Sequence, residues 1–114
     1  SQYAVEGLRL NNGKRWTANA ATTTGVNNMI ALMDSFSDVN DVMAFSDLSN
    51  NLQTEFNRII QKCTMVGEDH NQLHHFLIPM KDLVPGIGAQ DVTSCNTHFA
   101  KMELHLKEYA KYFE

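Results

Sequence analysis

The chain has 114 residues, 43% of them hydrophobic and 19% charged, with only six glycines and two prolines. That is the length of one domain with apolar material for one core, which argues against disorder and against a fold of many short strands. A net charge of −4, with Lys14–Arg15 the one adjacent basic pair, argues against a nucleic-acid surface. No run of about 18 apolar residues is present, so no membrane span is expected. The opening "SQYAVEG" lacks a methionine, which fits either an arbitrary boundary or the first residues after a removed leader.

In chain order, "LRLNNGKRW" comes first. Its arms, Leu8-Arg9-Leu10 and Lys14-Arg15-Trp16, flank an Asn-Gly, the signal of a hairpin turn. A lone ribbon is marginal in water, so it must lean on something larger, with Trp16 as its anchor. From Asn19 the period changes. Val26, Met29, Ile30, Met33 and Phe36 recur at the spacing of one helical face. Gly25 and the threonine-rich lead-in are poor helix material and leave the start of this helix open. "SFSDVND" then supplies capping residues for the next element.

A second helix carries Phe45, Leu48, Leu52, Phe56, Ile59, Ile60 and Cys63 on one stripe, with Asn50, Glu55, Arg58 and Lys62 opposite. Gly67 reads as its stop, and Glu68 and Asp69 as first-turn carboxylates of a third helix. That helix shows Leu73, Leu77, Met80 and Val84 on its apolar face. Pro79 should kink or shorten it and leave a carbonyl near His75 unpaired. "VPGIGAQD" ends the segment and caps a fourth helix, which buries Val92, Cys95, Phe99, Met102, Leu106, Tyr109 and Phe113. Four amphipathic helices on short connections predict an all-α fold, an antiparallel up-and-down four-helix bundle. Residues 1–114 form one domain on this reading, with 1–18 an extended segment packed on the bundle.

The chemistry concentrates in "CTMVGEDHNQLHH", Cys63 to His75. Helical geometry sets His70 and His74 beside the Leu73/Leu77 direction and turns His75 toward solvent. Two imidazoles one turn apart reach a single metal ion. Up-and-down topology places Cys63 close to His70, Met102 near His74, His105 or Leu106 near His70, and the start of the first helix at the same end. Cys63, Met65, His70 and His74 are therefore the candidate metal ligands, with Met102 an outside member. Thiolate, thioether and imidazole suit copper, as Cu(I), first and zinc second. Cys95, by contrast, pairs off against Met80. The helix between Glu68 and Met80 spans about 18 Å, beyond disulfide reach, so Cys63 and Cys95 are expected to stay unbonded to each other.

Bland readings stand beside this one. Buried cysteine and methionine are ordinary core residues, and core packing also accounts for Cys95, His98 and Met102. The alternative to a metal site is a structural or protein-interaction module in which the Cys/His corner caps a helical hairpin. Haem bound without covalent attachment, with Met29 or Met33 facing His98 or His105, is a further reading. Catalysis is not expected. "HNQLH" has Asn71 where a zinc-protease helix needs its general-base glutamate, no Glu-x-x-His pair is present, and no phosphate loop or nucleophile elbow appears.

With "WTAN" at Trp16–Asn19 and "CTMVGEDHNQLHHFLIP" at Cys63–Pro79, the chain resembles a group of small exported bacterial helical proteins. Those carry a Trp-x-x-Asn and a Cys-Thr-Met-x-Gly-x-x-His-x-x-Leu-His run and have no established activity. The resemblance implies a periplasmic or otherwise exported setting and attention to Cys63, Met65, His70 and His74, and says nothing about chemistry. The partners expected on the metal reading are a metal ion and, in that setting, another envelope protein. Cys95 and His98 lie outside it.

Overall fold

The computed structural model describes residues 3–114. Among them the secondary structure is helical, in segments α1 (Ala20–Asp34), α2 (Val42–Lys62), α3 (Gly67–Leu77), α4 (Met80–Ile87), α5 (Val92–Lys107) and α6 (Tyr109–Tyr112). A single broken joint links α3 to α4 and another links α5 to α6, so these segments form four helical arms. α1 packs on α2 and α5, and α4 packs on the same two helices. Their inward faces make one core, centred on the fully buried Phe45, Met29, Leu52, Ile59, Met80 and Met102. Each such side chain stabilises the fold by about 1.5–3 kcal/mol relative to exposure.

The expected starts of α2 and α5 hold for a local reason. Asp41 Oδ1 accepts the backbone N–H groups of Met43 and Ala44 at 2.9 and 3.3 Å, and Asp91 Oδ1 that of Ser94 at 2.8 Å. The threonine-rich lead-in is helical from Ala20. Thr22 is buried there, and its hydroxyl donates to the Asn19 side chain. Phe36 lies past the end of α1 and packs its ring on Phe45 and Phe99, with centroids 4.7 and 5.5 Å away.

Several expectations are corrected. The Asn-Gly sequence makes a tight turn, with Asn12 and Gly13 at φ 52° and 83° and paired hydrogen bonds between Asn11 and Lys14. The pairing stops at that one bridge, and no strand forms among the described residues. Gly67 is the first residue of α3, at φ 71°, rather than the stop of α2, which ends at Lys62. α4 continues through Pro85 to Ile87 where "VPGIGAQD" was read as a terminator. The hydrogen bond that Pro85 forgoes would have ended on the exposed Lys81. Ile60, placed on the buried stripe of α2, is 49% exposed.

Trp16 is the anchor that its sequence position suggested, at 5% exposure within the core cluster. Its indole N–H donates to Arg9 O at 2.6 Å, and its backbone N–H to Tyr112 O at 2.7 Å. Glu114 N–H returns to Trp16 O at 2.9 Å, and Ala18 N–H reaches Glu114 O, also at 2.9 Å. The N-terminal segment is thus laced to the far end of the chain on one side and laid over α3 on the other. On the α3 side, Gln72 accepts the Arg9 N–H at 2.9 Å and donates to Gly7 O at 3.3 Å.

Candidate metal centre

Cys63 is the residue at which α2 ends, its backbone turning extended (φ −69°, ψ 123°). Four residues later α3 begins, with Glu68 and Asp69 in its first turn, where the helix dipole favours carboxylates. This geometry brings the half-buried Cys63 Sγ to 3.8 Å from His70 Nδ1. One turn on, the His74 ring lies against that of His70, with centroids 4.4 Å apart. His74 is exposed rather than set into the core. Met65 is partly buried and packs on the core, and Met102 is fully buried in it. Among the described residues no three His, Cys, Asp or Glu side chains converge as a ready-made metal-holding group. What the fold assembles is a thiol–imidazole pair with a second imidazole tilted against it.

The surroundings fix α3 firmly. Glu68 takes hydrogen bonds from Gln72 at 3.1 Å and Asn71 at 3.3 Å, and pairs with Arg9 at 2.9 Å. The amide donors, then the charges of Arg9 and His75, hold its carboxyl below the usual carboxylate range. His75, expected in solvent, is half-buried because Gly7 passes directly over it. A Cβ on Gly7 would sit 2.6 Å from His75 Nδ1, and Gly7 is at φ 79°, so the position favours glycine on both counts.

His105, expected with Leu106 as an alternative near His70, lies against Phe76. The break at Ile78–Pro79 frees carbonyls in the last turn of α3, as Pro79 foretold, and the one at Phe76 receives His105 Nε2 at 2.6 Å. A carbonyl only accepts, so Nε2 carries the proton and Nδ1 is left to accept from the Tyr3 hydroxyl at 2.7 Å. The ring stacks on Phe76 with centroids 4.6 Å apart. Burial pushes the His105 imidazole below its ordinary value, partly offset by the Phe76 bond and the charge of Glu108. Burial, then Glu108, likewise raises the Tyr3 phenol. Glu108 is itself buried and paired to Lys111 at 2.6 Å.

Periodicity alone gave no reason to single out this Tyr3–His105–Phe76 link, because its partners lie on three separate segments. The two histidines weighed as haem ligands also bond to the fold. His98 Nδ1 lies 2.8 Å from Ser94 O and its ring fills the space over Gly86, while both nitrogens of His105 are engaged. Both cysteines are free thiols, Cys95 fully buried and donating to Ala89 O at 3.2 Å. Burial, then the charge of Asp91, raises the Cys95 thiol, the opposite of an activated nucleophile. No described helix is long and apolar enough to cross a membrane. No family model, curated protein or solved structure matches the chain.

Proposed function

We propose that this chain is a single-domain, non-enzymatic bundle, its arms running up and down in antiparallel order, whose α2–α3 corner binds a soft metal ion. The observation that carries the reading is the state of the imidazoles. Cys63 Sγ is the hydrogen-bond partner of His70, and among the described residues the His74 ring nitrogens have no hydrogen-bond partner. By contrast, His98 Nδ1 and His105 Nε2 each meet a backbone carbonyl, and His105 Nδ1 meets the Tyr3 hydroxyl.

Cu(I) suits the corner better than zinc. A structural zinc ion needs four nitrogen, sulfur or oxygen ligands in a tetrahedron, whereas a cuprous ion accepts low coordination numbers and favours thiolate, thioether and imidazole. Cys63 and His70 are its principal ligands, with His74 and Met65 completing the shell after side-chain rotation. The role is sequestration or handover of copper. The Cys-Thr-Met-x-Gly-x-x-His-x-x-Leu-His resemblance supports placing it in the cell envelope, with another envelope protein as recipient.

The test is elemental analysis of reduced protein after equimolar Cu(I) and Zn(II) and desalting. The expected result is close to one copper per chain, lost in Cys63→Ser and in His70→Ala while both variants keep the wild-type melting profile. Wild-type copper uptake by Cys63→Ser would sink the assignment. A second reading, an interaction module without metal, draws on a different observation. The exposed Ile60 and Ile78 line one small groove together with Phe56, His74, Leu77 and Lys81. Protein that emerges free of metal yet melts sharply favours that reading.

A further inference from the structure

The geometry points to Asn19 as the positioning residue of this corner, an inference that rests on the metal reading. The last carbonyls of any helix lack intrahelical donors, and at the end of α2 the chain leaves in an extended conformation at Cys63. Among the described residues no loop N–H returns to Lys62 O. The donor comes from the extended residue just before α1: Asn19 Nδ2, at 3.0 Å. Lys62 is the residue immediately before Cys63, so this bond fixes the peptide from which the thiol projects toward His70.

Asn19 is in turn held at both ends. The hydroxyl of the fully buried Thr22 donates to Asn19 Oδ1, which orients the amide so that its NH₂ faces Lys62. The backbone N–H groups of Thr22 and Thr23 bond Asn19 O at 3.1 and 3.2 Å. Three residues upstream, Trp16 is locked into the core and to Tyr112 and Glu114. The Trp16–Asn19 bracket therefore joins the end of the chain to the end of α2. Asn19 touches neither Cys63 Sγ nor an imidazole; it acts on the metal through the backbone.

Asn19→Asp keeps the acceptor for Thr22 and sets a carboxylate oxygen where the donor to Lys62 O stood, so it breaks that bond and repels the carbonyl. Two readouts are taken on the full chain: Cu(I) affinity by competition with a chromogenic chelator, and the rate of Cys63 alkylation in metal-free protein, assigned by peptide mass. Affinity is expected to fall about tenfold, the scale of losing a partner that orients a metal ligand. Cys63 labelling should speed up several-fold while Cys95 labelling and the melting temperature hold. Thr22→Val, which frees the amide to turn, gives the same two changes at smaller size and decides the matter if Asn19→Asp does not fold. Labelling at the wild-type rate in the folded variant overturns the inference. Failure of the wild-type protein to take up copper overturns the metal reading instead, and the labelling comparison still reports on Asn19.

Discussion

Two regions of this molecule use histidine in opposite ways. Where α5 meets α3, His105 is fully buried, stacked on Phe76 and bonded through both nitrogens. At the α2–α3 corner, His70 meets a thiol and His74 stands exposed against it. The first ring answers a defect in its own fold, the carbonyl released by a broken helix. The second pair answers no such need. An imidazole saturated by backbone serves the structure, and one left with sulfur and solvent retains its coordination chemistry.

The comparison breaks most sharply at His105. His105→Ala leaves the Phe76 carbonyl buried without a donor and opens a cavity beside its ring. A loss of about 3–5 kcal/mol is expected, read from denaturant midpoints. That is a large part of the stability of a domain this size. A variant within 1 kcal/mol of wild type, roughly the level of an ordinary substitution, would show that the link carries little.

Acid tests the same region more gently. The folded state holds His105 neutral and its value depressed, so between that value and the ordinary imidazole value of about 6.5 the unfolded chain binds more protons. Its contribution is fully present above the ordinary value and is lost as pH falls through the window toward the folded one. Tyr3 and Glu108 are the titratable groups facing the ring. The melting temperature should drop on acidification from about pH 7 to pH 5, and His105→Gln, which donates without titrating, should flatten that slope. An unchanged slope would assign the acid sensitivity elsewhere. The smallest effect belongs to the corner. His74→Ala should move stability by no more than about 0.5 kcal/mol, and a larger loss in the same melts would make His74 structural.

Much of the fold was legible in the sequence because it is local. Phe45, Leu48, Leu52, Phe56 and Ile59 are buried at their helical spacing, and Asp41 and Asp91 cap where they stand. Cys63 and His70 lie within seven residues of each other, across one short loop, and their approach followed from topology. Several of the misreadings involve partners distant along the chain. His75 points away from its own helix's apolar face, but Gly7, brought over by the N-terminal segment, covers it. His105 finds a carbonyl on another helix, a match that no periodicity records. Pro85 breaks a rule of helix interiors at a turn whose forgone partner, Lys81, faces outward. Asn19 marks in sequence only where the helical period begins, and its bond to Lys62 is visible only once α1 and α2 lie side by side.

The pairing of Trp16 and Ala18 with Tyr112 and Glu114 also sets an order of events during synthesis. Contacts between residues this far apart along the chain cannot form until the later partner has left the ribosome. α1 and α2 can meet as soon as both have emerged, but Trp16 has to wait for the end of α6. Nascent chains halted before Tyr112 should therefore lack the backbone clamp on Trp16, and the bracket around the α2–α3 corner closes only after α5 and α6 have emerged.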